Sequence, residues 1–201
     1  MKKLILVTSP PACGKSFVSS RLAKAMGNIV CLDKDTLIPL SKQIFKAAGE
    51  AYDRSSDFFQ REIRDYEYEV IIDLALEALE YNKTVLINAP FTDEVRDKEY
   101  LDRLRERLSR KNARLVVIWV ETDVETCKAR MYRRNSSRDT WKLKNWDAYV
   151  SSRSFQRPQL EELIVFKNSN EEEFSVSLRD TLRALGYEPP ECGEKMLRMA
   201  E

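Results

Sequence analysis

The chain has 201 residues, 43% of them hydrophobic, which allows one well-buried core but not two large domains. Its 34 lysine and arginine residues nearly balance 33 acidic residues, so the formal charge of +1 predicts no general attraction to nucleic acid or to a membrane. Histidine is absent, which excludes Ser-His and Cys-His catalysis and any histidine-ligated metal, and leaves proton transfer to carboxylates or to no side chain at all.

The first predicted element is an apolar run at about 3–8, followed by a loop that ends in Gly14, Lys15 and Ser16 and then a helix. A triphosphate needs inward-facing backbone N–H groups, a long cation and a hydroxyl for Mg²⁺, and a strand, loop and helix in this order supply them. The usual pattern has glycine where this chain has Ser9. We predict a phosphate-binding loop, rather than an ordinary turn before a surface helix, with ATP contacts from Ser9, Pro10, Pro11, Ala12, Cys13, Gly14, Lys15, Ser16 and Phe17.

Further apolar runs alternate with segments of helical period, and this alternation predicts an α/β fold with a parallel sheet. The predicted buried strands after the first lie at about 29–32, 84–89, 114–120 and 162–167. The predicted core faces of the helices are Val18, Leu22 and Met26; Ile63, Tyr66, Val70, Leu74 and Leu79; Leu101, Leu104 and Leu108; Val124, Cys127 and Met131; and Phe174, Leu178, Leu182 and Leu185.

Two acidic residues, Asp33 and Asp35, follow the second predicted strand. Ligands of open α/β sheets bind at the carboxyl ends of the strands, and residues two apart in an extended segment point to the same side. We therefore expect one of these two carboxylates to hold Mg²⁺, directly or through water, and the other to accept a proton from an attacking hydroxyl. The alternative is a polar turn in which Asp35 serves as a helix N-cap.

The segment between the second and third strands is much longer than one crossover helix requires. We predict that residues 36–81 form a substrate-binding lobe beside the nucleotide. This segment contains Arg54, Arg61 and Arg64 among several aromatic residues, a mixture that suits substrate binding. Core packing or a solvated surface is the alternative for each residue taken singly.

The third predicted strand ends in Asn88 rather than in an acid. Many nucleotide hydrolases place an aspartate here for Mg²⁺ and water, and a neutral amide does not supply that charge. This argues against a GTPase or a motor protein.

A cationic run spans residues 128–144. We predict a lid at about 130–145 that closes on ATP, because arginines there would neutralise charge on the transferred phosphoryl group. The alternative is a solvated basic face, and the two interpretations differ at Arg134 and Arg138. For Lys128, Lys142 and Lys144 we favour the solvated face.

The four cysteines form no C-x-x-C pair, and the apolar run near the N-terminus is too short for a signal peptide. A reduced, cytoplasmic environment is therefore expected. The segment from Tyr187 onward, with Pro189 and Pro190, predicts a loosely held tail over 187–201, after a single domain over 1–186.

In the order of these motifs the chain resembles the P-loop kinases grouped with polynucleotide kinase, chloramphenicol phosphotransferase and zeta toxin. The resemblance rests on the segments 9–16, 32–35, 117–123, 127–135 and 146–158, and it covers most of residues 3–185. It implies a P-loop NTPase three-layer sandwich with strand order 2-3-1-4-5. It also implies that Asp35 activates the acceptor hydroxyl, that Arg130 and Arg134 contact the ATP phosphates, and that Asn168 lies near the adenine.

We therefore expect an ATP- and Mg²⁺-dependent kinase, monomeric or homodimeric, that phosphorylates a hydroxyl of a nucleoside-, sugar- or antibiotic-like molecule. Lys15, Asp35, Arg130 and Arg134 would be catalytic, Arg138 would assist in binding ATP, and Ser16 with Asp33 would hold the metal. One alternative is a nucleoside monophosphate kinase, in which the three arginines of the lobe bind the acceptor phosphate. Another is a regulatory protein that binds ATP with little or no transfer.

Overall fold

The computed structural model describes residues 1–136, 139–151 and 155–189. Within these residues, parallel strands form one sheet of order β2-β3-β1-β4-β5, as the resemblance implied. The strands are β1 Lys2–Thr8, β2 Val30–Asp33, β3 Thr84–Asn88, β4 Ala113–Glu121 and β5 Leu163–Lys167.

Helices cover both faces of the sheet. They are α1 Lys15–Met26, α2 Ile38–Ala48, α3 Asp57–Glu62, α4 Arg64–Tyr81, α5 Lys98–Ser109, α6 Val124–Arg134, α7 Thr140–Lys144, α8 Trp146–Val150 and α9 Glu171–Ala184, with short 3-10 turns at Lys34–Leu37 and Glu94–Arg96. Among these described helices, none is both long and apolar enough to cross a lipid bilayer.

Alternation along β1 separates the two halves of the core. Leu4 and Leu6 point to one face and pack in a cluster with α4 and α5, whereas Ile5 and Val7 pack in a second cluster with α1, α6 and α9. Because β1 lies in the middle of the sheet, both of its faces are buried and its sequence is continuously apolar. This arrangement confirms the predicted three-layer sandwich.

The two edge strands are less buried than predicted. Strand β2 lies at the edge of the sheet and pairs with β3 along one side, and its residue Cys31 is exposed. In β5, Phe166 is buried but Leu163, Ile164 and Val165 are only half-buried. An apolar run shows that a segment can be buried, but strand order decides how much of it is covered.

The predicted core face of α4 was largely wrong. Tyr66, Val70 and Leu74 are exposed at 64%, 42% and 44%. The face that packs on the sheet instead consists of Tyr68, Ile71, Ile72, Ala75, Leu76 and Leu79. This helix has apolar residues on two sides, so a period of 3.6 residues fits either side and only the position of the sheet selects one.

The predicted 36–81 lobe contains two kinds of structure. Phe45, Phe59 and Ile63 form a small cluster of their own, to which α2 and α3 contribute. In contrast, α4 belongs to the main core on one face of the sheet. The part of the segment with a separate core therefore ends near Ile63, and α4 is the crossover helix that connects β2 to β3.

The C-terminal segment contacts the core at Tyr187, a residue that was predicted to belong to the loosely held tail. The hydroxyl groups of Tyr187 and Thr84 lie 2.7 Å apart and share a hydrogen bond, and Tyr187 packs against the core cluster that contains α9. Of the predicted tail 187–201, residues 190–201 lie outside the described part of the chain.

Candidate active site

The phosphate loop connects β1 to α1, and its backbone requires one glycine. Ala12 and Gly14 have positive φ angles of 68° and 85°, whereas Ser9 is outside the left-handed region. A Cβ atom on Gly14 would lie 2.4 Å from Nδ2 of Asn168. Gly14 is therefore required by both its conformation and its close neighbour, and serine at position 9 causes no backbone strain of this kind.

Contacts from β4 and β5 fix the back of this loop. The Cys13 carbonyl accepts hydrogen bonds from Nδ2 of Asn168 at 2.8 Å and from Oγ1 of Thr122 at 2.9 Å. The thiols of Cys13 and Cys127 are buried 3.4 Å apart, and their hydrogen bond, together with burial, raises the pKa of Cys13. The Asn168 side chain thus supports the loop, and the role of Thr122 was not predicted from the sequence.

Asn88 at the end of β3 connects the residues predicted to bind phosphate and metal. Its Oδ1 accepts hydrogen bonds from Nζ of Lys15 at 2.8 Å and from the hydroxyl of Ser19 at 3.4 Å. Its Nδ2 donates to Oγ of Ser16 at 3.0 Å and to Oδ2 of Asp33 at 2.6 Å. Both the oxygen and the nitrogen of the Asn88 amide are therefore hydrogen-bonded, and this neutral side chain connects Lys15, Ser16 and Asp33. The sequence did not reveal this role.

This network leads to a prediction for Asn88→Asp. The new carboxylate would replace an amide that donates to Asp33, so two negative charges would meet where a hydrogen bond now exists. We expect the free energy of unfolding without metal to fall by about 1–3 kcal/mol, and Mg²⁺ to restore part of the loss. Melting curves in EDTA and in Mg²⁺ test this, with the exposed Asn112→Asp as the control. Identical curves for the two variants would contradict it.

The two carboxylates after β2 have different surroundings. Asp33 caps the turn Lys34–Leu37, because its Oδ1 accepts a hydrogen bond from the backbone N–H of Asp35 at 2.9 Å. The alternative in which Asp35 is the cap is therefore wrong. Asp35 is exposed, and within the described part of the chain no residue donates to its carboxylate.

The oxygens of Ser16 and Asp33 fit a magnesium site. Both lie within hydrogen-bond distance of one atom, Nδ2 of Asn88, so they are close to each other. Magnesium prefers oxygen ligands and takes only one or two from a protein when phosphates and water supply the others. Among the described residues, no three or more histidine, cysteine or acidic side chains are grouped so that they could hold a metal ion.

Two of the predicted arginines lie on α6 with different partners. Arg130 donates to the Asn168 carbonyl at 2.9 Å and to Oγ1 of Thr122 at 3.4 Å. Arg134 is paired with the fully buried Asp139 through contacts of 2.6 to 2.8 Å. Arg138 lies outside the described residues. In this conformation Arg130 is held against the phosphate loop and Arg134 against the start of α7.

A cavity of about 710 Å³ brings most of these residues together. It is lined by Ser9, Pro10, Pro11, Ala12, Gly14, Lys15, Ser16, Phe17, Lys34, Asp35, Arg54, Pro90, Arg130, Arg133, Arg134, Lys142 and Asn168. Cys13 and Asp33 are not among these lining residues. Phe17 is 49% exposed and packs against Phe174, with the ring centroids 5.1 Å apart.

A buried ionic cluster beside Asp35 was missed at the sequence level. Glu67 is 4% exposed and accepts hydrogen bonds from Lys34, Ser41 and, at 2.9 and 2.7 Å, from both terminal nitrogens of Arg54. Burial favours a raised pKa for Glu67, but the bonds from Arg54, Lys34 and Ser41 outweigh it and lower the pKa. One feature of the sequence could have indicated this cluster: Glu67 lies four residues before Ile71, so both residues are on the buried face of α4.

The three arginines of the predicted lobe do not form one site. Arg54 lines the cavity, whereas Arg61 is an exposed residue that pairs with its neighbour Glu62. Arg64 pairs with Glu94 and lines a different cavity between α4 and α5. Of the cations proposed for an acceptor phosphate, the structure therefore places one, Arg54, beside the phosphate loop.

Comparison with known proteins identifies a family. The family model of the AAA domain (AAA_33) matches residues 4–157. No protein of curated function matches the chain significantly.

Solved structures share the fold at low sequence identity. A candidate kinase of Chloroflexus aurantiacus is 18% identical with a TM-score of 0.63, covering 90% of this chain and 97% of its own. The tunicamycin resistance protein of Deinococcus radiodurans is 12% identical, with a TM-score of 0.59 and coverage of 94% and 100%. A gluconokinase of Sinorhizobium meliloti is 16% identical, with a TM-score of 0.54 and coverage of 92% and 95%.

Proposed function

The chain belongs to the AAA domain family and has the fold of small P-loop kinases, and on this premise we propose that it is an ATP-dependent kinase. It transfers the γ-phosphoryl group of ATP to a hydroxyl of a small molecule. The observation that carries this proposal is the position of Asp35, whose exposed carboxylate lines the same cavity as Lys15 and Ser16. Solved structures with a similar fold include a gluconokinase, which supports this class of reaction.

In this proposal each group has a defined task. Lys15 neutralises charge on the β- and γ-phosphates, and Arg130 and Arg134 stabilise the charge on the transferred group. The acceptor oxygen forms a bond to the γ-phosphorus as the bond to the ADP oxygen breaks, and Asp35 takes the hydroxyl proton. Magnesium, held by Ser16 and Asp33, supplies further charge neutralisation when bound. To reach a phosphate, the guanidinium of Arg134 must either move away from Asp139 or bind Asp139 and the phosphate at the same time.

Release of ADP tests the proposal directly. The protein is incubated with ATP, Mg²⁺ and a panel of nucleosides, sugars, hydroxy acids, aminoglycosides and nucleoside monophosphates, and ADP is measured for each acceptor. Transfer to a hydroxyl compound supports the proposal. Transfer only to a nucleoside monophosphate supports the second candidate, which the presence of Arg54 in the cavity favours. Binding of ATP without ADP release from any acceptor supports a regulatory protein.

Nucleotide binding gives a separate prediction for Lys15→Ala. ATP with Mg²⁺ should raise the melting temperature of the wild type, because a ligand that binds only the folded state stabilises it in proportion to the logarithm of its concentration above Kd. At a ligand concentration of about 100 times Kd the stabilisation is about 2.7 kcal/mol. We expect Lys15→Ala to lose this shift. Lys24→Ala, an exposed lysine at the far end of the same helix, is the control. An equal shift in both variants would contradict the loop assignment.

A further inference from the structure

We propose that the phosphoryl acceptor carries an anionic group, a carboxylate or a phosphate, and that Arg54 binds this group while the acceptor hydroxyl lies against Asp35. The inference rests on the proposed function, because it concerns the substrate of the same site. It goes beyond that function by assigning a charge to the acceptor and a residue that selects it.

The cluster around Glu67 carries more positive than negative charge. The ionised Glu67 supplies one negative charge, while Lys34 and Arg54 both donate to it and supply two positive charges. The side chains of Lys34 and Glu67 are 3% and 4% exposed, so these two charges already compensate each other away from solvent. Arg54 therefore adds a positive charge that Glu67 does not need. Because the Arg54 side chain is only 28% exposed, water solvates this additional charge incompletely, and an anion bound beside it would compensate it.

Arg54 is held in a fixed position by its neighbours. Its guanidinium lies 4.5 Å from the centre of the Phe59 ring and makes a two-point contact with Glu67. A guanidinium has five N–H groups, more than its contacts with Glu67 and Tyr52 use, and its planar geometry matches carboxylate and phosphate. The side chain is 28% exposed and lines the cavity, so the group is fixed in place but reachable by a ligand. Fixed donors of this kind lose little entropy on binding.

Arg54 lies on the acceptor side of the site rather than on the ATP side. Lys34, which shares Glu67 with Arg54, is the residue directly before Asp35. The cluster is thus connected to the proposed base. The cations assigned to the ATP phosphates come instead from the phosphate loop and from α6, as Lys15 and Arg130. An acceptor that binds both Asp35 and Arg54 needs a hydroxyl and an anionic group in one molecule.

Binding in the presence of saturating ADP and Mg²⁺ tests this inference without requiring turnover. The probes are D-gluconate with its neutral counterpart sorbitol, and D-glucose 6-phosphate with glucose, at constant ionic strength. We expect one anion to raise the melting temperature of the wild type while its neutral counterpart does not. The two pairs distinguish a carboxylate from a phosphate.

Three variants test whether Arg54 is the residue that binds the anion. In Arg54→Met the affinity for the anion should fall by at least about 30-fold, as expected when one partner of a desolvated charge pair is removed. In Arg54→Lys the charge remains without the planar fork, so the loss should be intermediate. Arg61→Met, which alters an exposed arginine of the neighbouring helix, should bind like the wild type.

A control for folding accompanies these variants. Arg54→Met removes two hydrogen bonds to Glu67 but leaves Glu67 paired with Lys34 and bonded to Ser41, so the variant should fold, and its melting temperature without ligands should fall less than that of Glu67→Gln. If Arg54 only stabilised the lobe, Arg54→Met would lose this stability without any selective change in the response to anions.

Several outcomes would overturn the inference. These are the absence of stabilisation by both anions, equal stabilisation of Arg54→Met, and ADP release with neutral acceptors alone. The last result would leave the proposed kinase function intact. In contrast, anion binding that depends on Arg54, without ADP release from any acceptor, would support the anion site and count against the kinase.

Discussion

Asp35→Asn should lower kcat with the identified acceptor by about 10²- to 10⁴-fold, the usual contribution of a general base. Asparagine keeps the size and much of the hydrogen bonding of aspartate but does not accept a proton from the attacking hydroxyl. Because Asp33, and not Asp35, caps the following turn, the substitution should leave the local backbone unchanged. Single-turnover measurements of phosphorylated product report the chemical step, and titration with ATP reports nucleotide binding separately.

The affinity of Asp35→Asn for ATP should stay close to that of the wild type, since Asp35 does not donate to or accept from the phosphate loop in this structure. Asp57→Asn, an exposed acid in the first turn of α3, serves as the matched control and should keep full turnover. Near wild-type turnover by Asp35→Asn would mean that the acceptor needs no base. An acceptor phosphate that is already ionised at neutral pH would explain that result, and the monophosphate kinase would then become the better proposal.

Glu67→Gln should destabilise the fold by about 3–5 kcal/mol, the usual cost of removing one partner from a buried ionic cluster. Glu67 is 4% exposed and is the shared acceptor for Lys34, Ser41 and Arg54. Glutamine would remove the carboxylate to which Lys34 and Arg54 both donate, and would turn an amide N–H₂ group toward their donors. Urea denaturation, with the free energy extrapolated to water, gives the difference directly.

Two controls separate this effect from a general loss of acidic charge. Glu62→Gln removes an exposed carboxylate paired with Arg61, and should change the free energy of unfolding by no more than about 0.5 kcal/mol. Adding Arg54→Met to Glu67→Gln removes one of the uncompensated cations and should recover part of the stability. A loss for Glu67→Gln that equals the loss for Glu62→Gln would show that the cluster contributes nothing special.

The pH dependence of the Glu67 contribution has a defined sign. The hydrogen bonds to Glu67 lower its pKa in the folded state relative to the unfolded chain. Its contribution to stability is therefore present at neutral pH and is lost as the pH falls through the lowered pKa. As the pH falls through this range, the free energy of unfolding should therefore decrease less in Glu67→Gln than in the wild type.

Much of the fold follows from local sequence. Continuous apolar runs identified all the strands that the structure describes, because strands of a parallel sheet are covered by helices and leave a strong signal. The phosphate loop was equally clear, since glycine, lysine and serine between a strand and a helix satisfy a specific need for backbone donors and charge. The strand order came from resemblance, because hydrophobic pattern does not fix the order of parallel strands.

The sequence by itself thus determined the class of fold and the position of the phosphate loop, through apolar pattern and motif. Tertiary structure alone decided which face of α4 is buried, since the helix has apolar residues such as Val70 and Ile71 on different sides. It also made Asn88 the partner of Lys15, Ser16 and Asp33. In the same way it brought Lys34 and Arg54 to Glu67, because charged groups far apart in sequence meet only when packing fixes their distances, and no local spacing encodes that meeting.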